Sequence, residues 1–120
     1  MLARLESYIR QVMTWLEENY PGLVVSWDVA NECIDDSTGW LRDSSWYRVV
    51  GSDYVSRAFE LARRWAPEGT LLFYNDYNTA YAEKRSGILR LLKQVMETGC
   101  IDGYGFQMHN ATDQPTQQQL

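Results

Sequence analysis

Apolar residues recur three and four positions apart over residues 2 to 18, at Leu2, Leu5, Ile9, Val12, Met13 and Leu16. Arg4, Glu6, Arg10, Glu17 and Glu18 fall mostly off that stripe, which predicts an amphipathic helix stopped by Pro21-Gly22. The run Leu23 to Val29 is rich in β-branched residues and predicts a strand. Residues 33 to 52, with Gly39, Gly51 and several Asp and Ser, predict a long loop. In a compact domain a loop of that length signals function. A second helix fits residues 53 to 66, with Val55, Ala58, Leu61, Ala62 and Trp65 as its buried stripe and Pro67 and Gly69 at its end. "TLLFYND", residues 70 to 76, predicts a second strand. A third helix fits 84 to 98 through Ile88, Leu91, Leu92 and Val95, closed by Gly99, and "IDGYGFQMH" at 101 to 109 predicts a third strand. The final "QPTQQQL" reads as the start of another helix.

Helices and strands therefore alternate, which implies parallel strands joined by helical crossovers. Two architectures share that order: an open doubly wound sheet and a closed β/α barrel. No GxGxxG or GxxxxGK[ST] follows any strand, so the usual nucleotide-binding form of the first is absent. All three strands finish in polar residues: Asn31-Glu32, Asn75-Asp76 with Asn78, and Gln107 with His109. A barrel gathers the C-terminal ends of its strands around one mouth, whereas an open sheet uses mainly the ends beside its switch point. The expected fold is α/β, a partial TIM (β/α)8 barrel of three parallel strands with intervening helices. A complete barrel takes about 250 residues. Residues 1–120 are thus expected to be the central fragment of a single domain.

Charge and cysteine usage narrow the partners. A net charge of -5 and a pI near 4.7 disfavour a general binder of nucleic-acid backbone, which needs a basic patch. Neutral and cationic partners stay open. No apolar run approaches the ~20 residues that span a bilayer, so no membrane partner is expected. The segment after Met1 has no basic, apolar and small-residue succession of a signal peptide; any export signal would lie outside these residues. Cys33 follows one strand and Cys100 precedes another. In a parallel sheet such positions lie roughly 15–20 Å apart, beyond the ~7 Å that a disulfide tolerates, so two free thiols are expected. One histidine and no close cysteine pair make no metal site, and no cofactor is expected.

Burying an ionised carboxylate costs several kcal/mol unless it is paired, so an apolar strand ending in Asp28, Asn31, Glu32, Asp35 and Asp36 requires a reason. On residue type alone, Glu32 is equally a solvated strand-end acid and a catalytic carboxylate. His109, the lone histidine, is of a kind more often packed or exposed than catalytic. Asp28 and Asp76 read as structural hydrogen-bonders near the mouth, and Trp15, Trp40, Trp46 and Trp65 as packing residues, with Trp27 inside a strand.

Three motifs change that balance. "WDVANE" at 27–32, "FYNDYN" at 73–78 and "DGYGFQMH" at 102–109, in order and at barrel spacing, resemble glycoside hydrolase family 10, whose founding activity is endo-β-1,4-xylanase. "LRDSSWY" at 41–47 and "GSDYVSRAFELAR" at 51–63 resemble that family's segment between its fourth and fifth strands, so the likeness covers nearly the whole chain. The resemblance implies strands four to six of the barrel, with Glu32 as the general acid/base and Asn31 binding the 2-hydroxyl of the sugar being cleaved. It implies that Gln107 and His109 hydrogen-bond and orient the two catalytic carboxylates. Tyr77 and Asn78 would flank the leaving-group side, where an aromatic ring packs on a sugar's apolar face. Cys33, where the family commonly has a small residue such as alanine, and Met108, where serine is common, are mild departures.

The family's nucleophile, a Glu in a Thr-Glu-Leu-Asp-like stretch of the seventh strand, has no counterpart in these residues, nor has its upstream Trp-His strand. The expected function is retaining hydrolysis of internal β-1,4-xylosidic bonds in xylan, with this chain supplying the acid/base half. The expected partners are xylan or xylo-oligosaccharides and the rest of its own catalytic domain. The alternatives are another retaining barrel β-glycanase (cellulase or mannanase) and a non-catalytic carbohydrate-binding remnant. Alone, the 120 residues are expected to be poorly stable, because open strand edges and one bare core flank remain, and inactive, because the nucleophile Glu is absent. Secretion is implied by the family and by a polymeric substrate.

Overall fold

The three predicted strands form one parallel sheet in the computed structural model, which describes residues 1–120. In chain order the elements are α1 (Leu2–Asn19), β1 (Ser26–Asn31), α2 (Ser45–Val50), α3 (Tyr54–Trp65), β2 (Leu71–Tyr77), α4 (Ala82–Met96) and β3 (Gly103–Gln107). The strand order is β1-β2-β3, all parallel, with no reversal of the winding direction. That sequential order is the arc of a barrel and lacks the switch point of a doubly wound sheet.

Strand alternation separates two faces. On β2, Leu72, Tyr74 and Asp76 are buried while Leu71, Phe73, Asn75 and Tyr77 are more open. Leu72 and Tyr74 share one core with Met13 of α1, Val55, Phe59 and Ala62 of α3, and Ile88, Leu91 and Val95 of α4. The helices therefore cover one face of the sheet, and the other is the face that a closed barrel turns inward. Glycine makes that inner face pack closely. Phe73 lies over Gly103, where a Cβ would stand 2.8 Å from its Cδ1, and Asn75 Oδ1 would be 2.9 Å from a Cβ at Gly105.

Several boundaries differ from the sequence reading. β1 starts at Ser26, not Leu23, and Leu23 and Val25 are 67% and 70% exposed. Its ladder begins only where β2 runs alongside, from Leu71 N to Val25 O at 3.0 Å. The expected structureless loop 33–52 contains α2, whose N-cap Ser44 accepts from Tyr47 N, and a bridge between Ile34 and Leu41. Trp15 (55% exposed), Trp40 (64%) and Trp46 (40%) are surface residues rather than packing ones. Trp40 instead lies under the Arg90 guanidinium at 4.2 Å, while Trp65, like Trp27 of β1, packs against the main core. The C-terminal stretch forms turns, in which Thr116 N and Oγ1 donate to Gln119 Oε1 at 2.8 and 3.0 Å. A Thr followed three residues later by a Gln that reaches back in this way is half of a capping box. Both cysteines are free, as expected.

Gly87 shows how tightly α4 sits on the loop after β1. Alanine in a helix interior ordinarily stabilises relative to glycine by about 0.5–1 kcal/mol. At Gly87 a Cβ would collide with the Gly39 carbonyl oxygen and stand 2.8 Å from Ile34 Cγ2. Gly39 cannot retreat, since its own φ is +64° and its Cα faces Glu83 O. Gly87→Ala is therefore expected to destabilise the complete domain by about 1–3 kcal/mol. A lowered denaturant midpoint is the expected reading, and an unchanged or raised midpoint contradicts this packing.

Candidate active site

A β-bulge builds the first part of the site. The register steps from Asp28↔Phe73 to Ala30↔Tyr74, leaving Val29 unpaired. The extra residue puts Asp28 and Asn31, three positions apart, on the same inner face. Asn75 Nδ2 donates to Asp28 Oδ2 at 3.2 Å, so Asp28 is a structural partner there. At the strand's end, Glu32 N donates to Asn75 O at 2.9 Å while Glu32 itself has φ +54°. A left-handed conformation at a non-glycine residue costs roughly 1–2 kcal/mol. Such strain gathers at functional positions, where the surroundings over-determine it. Asn78, just past β2, also has a positive φ of +57°, which asparagine tolerates better. Glu32 is half-buried beside a cavity of about 270 Å³, lined also by Asn31, Arg42 and Trp46.

β3 completes the cluster. Gln107 Nε2 donates to Asn31 Oδ1 at 2.8 Å, and His109 Nε2 lies 3.0 Å from Gln107 Oε1. With Gln107 assigned as donor through its amide nitrogen, its oxygen must accept, which places a proton on His109 Nε2. Asn31 thus spends its oxygen on Gln107 and leaves its Nδ2 donors without a protein partner. Within these residues Gln107 contacts Asn31 and His109 contacts Gln107.

Beneath this cluster lies a buried ionic network. Asp76 on β2 and Lys84 in the first turn of α4 are fully buried, 3.0 Å apart. Tyr74 OH donates to Asp76 Oδ2 and accepts from Cys33 N at 3.0 Å, and Tyr77 N donates to Asp76 Oδ1 at 2.9 Å. Lys84 Nζ also donates to Ile34 O and to Asp36 Oδ1, the latter at 2.8 Å. Burial first, then Cys33 and the bond to Asp76, raises the Tyr74 phenol above its usual range, so it remains a hydroxyl. Burial likewise raises the Cys33 thiol and keeps it neutral. Partial burial pushes Asp36 up, but the hydrogen bonds from Lys84 and Tyr77 and the nearby cations leave it below the ordinary carboxylate value.

Tyr77 stands against this network. Its hydroxyl donates to Asp36 Oδ2 at 2.8 Å and accepts from Arg42 Nη2 at 2.7 Å, and Lys84 Nζ sits 4.4 Å from its ring centroid. Asn78 Nδ2 donates to the same Asp36 Oδ2 at 3.3 Å. The structure therefore links Asn31, Gln107 and His109, sets Glu32 next to Asn31 along the chain, and ties Tyr77 and Asn78 to Asp36. Lys84, Arg42 and Tyr74 are the members that the sequence reading missed, while Asp36 was noted there only as a strand-end acid. Lys84 did carry a signal, because it continues the buried stripe Ile88, Leu91 and Val95 by one turn.

The loop between Glu32 and α2 is held by a second acid. Asp35 Oδ1 accepts from Ser37 Oγ, Thr38 N, Thr38 Oγ1 and Ser37 N at 2.7–3.1 Å. The Ser37 hydroxyl foremost, then Thr38, lowers its pKa from 3.8 to about 2. A carboxylate with a depressed native pKa contributes stability that is complete above its unfolded value and lost as pH falls through the native one. The turn is therefore expected to hold at pH 3.8 and to release as pH falls through about 2. The Asp35 carboxyl carbon shift in NMR checks this, and a midpoint near 3.8 contradicts it.

Three parallel strands in sequential order, with a half-buried Glu beside an amide at the C-terminal end of β1, form an arc of a β/α barrel with polar groups at its mouth. The comparisons agree. The family described as Glycosyl hydrolase family 10 matches residues 1–120. A putative endo-1,4-β-xylanase of Caldicellulosiruptor saccharolyticus is 45% identical over 108 residues, covering 89% of this chain and 35% of that protein. The xylanase XynB of Paenibacillus barcinonensis, solved with a conduramine derivative, superposes with TM-score 0.87 at 36% identity, over 99% of this chain and 35% of that one. A mutant of the intracellular xylanase of Thermoanaerobacterium saccharolyticum, solved with xylotriose, matches at TM-score 0.82 and 37% identity, over 90% of this chain and 34% of that one. The chain spans about a third or less of the curated relatives it matches. It belongs to glycosyl hydrolase family 10.

Proposed function

We propose that these residues form the acid/base side of a retaining endo-1,4-β-xylanase acting on internal bonds of xylan. The observation that carries the reading is Glu32, strained at the end of β1, next to an Asn31 whose oxygen is held by Gln107 and whose Nδ2 remains free. The names of the relatives support the substrate. Glu32 protonates the departing glycosidic oxygen and then, as carboxylate, takes a proton from the attacking water. A second carboxylate about 5–5.5 Å away, supplied by the remainder of the domain, attacks the anomeric carbon. Asn31 Nδ2 donates to the sugar 2-hydroxyl, a contact that strengthens toward the transition state. Gln107 and His109 hold Asn31 in place. Tyr77 has its hydroxyl already engaged, so it offers the leaving-group side the apolar face of its ring, with Asn78 beside it.

The test is hydrolysis by the complete domain containing this segment, with the first-formed anomer followed by proton NMR. β-Configured xylo-oligosaccharides from xylan are expected. An α-anomer formed first, or a preference for glucan or mannan, contradicts the proposal. The place of action is taken to be outside the cell, since the substrate is a polymer. Activity confined to the cell lysate of the source organism contradicts that.

A further inference from the structure

We propose that the buried Tyr74–Asp76–Lys84 group positions the Glu32 carboxyl, by clamping the Cys33 N–H and the Ile34 carbonyl in the backbone that follows it. The inference rests on Glu32 being the acid/base. The residue after Glu32 donates its backbone N–H, at Cys33, to Tyr74 OH at 3.0 Å. The Ile34 carbonyl, two residues beyond Glu32, accepts from Lys84 Nζ. Tyr74 and Lys84 are themselves locked to one carboxylate, Asp76, through its Oδ2 and Oδ1 respectively. All three side chains are fully buried.

On the other side, Glu32 N donates to Asn75 O, in the residue between Tyr74 and Asp76. The backbone of Glu32 is therefore gripped before and after its Cα by consecutive residues of β2 and by α4. This explains how a glutamate is kept at φ +54°, a conformation that the residue does not choose by itself. An acid that must meet a glycosidic oxygen within a few tenths of an ångström needs such support. None of the three clamping side chains is assigned to touch substrate, so they are positioning residues.

The experiment uses the complete domain and compares kcat/KM on xylan with kcat/KM on an aryl xyloside whose phenol departs without protonation. Tyr74→Phe keeps the ring and removes the oxygen that receives Cys33 N–H. Misplacing a catalytic group by about 1 Å costs on the order of 100-fold. Tyr74→Phe is therefore expected to lose about 10- to 100-fold on xylan and less than about threefold on the aryl substrate. Lys84→Met should show the same split. Should Lys84→Met not fold, Tyr74→Phe alone decides.

A merely structural role predicts equal losses on both substrates, following the fraction of folded protein seen by circular dichroism. Equal losses, or none, overturn the proposal. Glu32→Ala run alongside separates the two ideas. If it shows the substrate split and Tyr74→Phe does not, the clamp is wrong while the acid/base reading stands. If Glu32→Ala itself shows no split, the acid/base reading is what fails.

Discussion

Glu32→Ala in the complete domain is expected to lower kcat/KM on xylan by about 10²–10⁴-fold, the range that a positioned general acid contributes. The same change should leave kcat/KM on an aryl xyloside with an acidic phenol within about tenfold. The difference follows from what is leaving. A sugar alkoxide is too basic to depart unprotonated, whereas an activated phenolate departs without help. Because kcat/KM reports only the steps through first bond cleavage, the later need for a general base does not blur the comparison. The half-buried position of Glu32 and its strained backbone fit a group held for this task. Equal loss on both substrates would remove Glu32 from the acid role.

Asp76→Asn is expected to have the largest effect on stability. It leaves the shape almost unchanged but takes the negative partner from a Lys84 that has no access to water. Breaking a buried pair from one side typically costs 3–5 kcal/mol, because the remaining charge stays desolvated. Lys84 keeps Asp36, which is partly exposed and sits 2.8 Å away, so a loss of about 3 kcal/mol is the closer expectation. Urea unfolding of the complete domain measures it. A loss under about 1 kcal/mol would mean that Asp36 alone satisfies the ammonium.

Much of this architecture was legible in the chain. The stripe Val55, Ala58, Leu61 and Ala62 is buried in α3, and Ile88, Leu91 and Val95 in α4, because three-and-four spacing survives wherever a helix lies on a sheet. The parallel arrangement followed from alternation alone. α2 was missed for the opposite reason. Its six residues bury nothing, so no apolar period marks it, and only Ser44 at its cap gives it away.

The start of β1 was misplaced because hydrophobicity reports neither pairing nor where the neighbouring strand begins. Of the site, Asn31, Glu32, Gln107 and His109 came from the motifs, whereas the bulge that turns Asn31 inward carries no sequence mark. Lys84 was hidden by its class. A charged residue on an apolar stripe is ordinarily read as solvated, and only the fold shows that Asp76, two positions along β2 from Tyr74, lies opposite it.

The proton-donating role of Glu32 is tested most directly by adding azide to the Glu32→Ala variant of the complete domain turning over an activated aryl xyloside. Azide enters the space that the carboxyl vacated and attacks the glycosyl-enzyme without needing a general base. Restored turnover with β-xylosyl azide as product is the expected result. No acceleration and no azide adduct would contradict it.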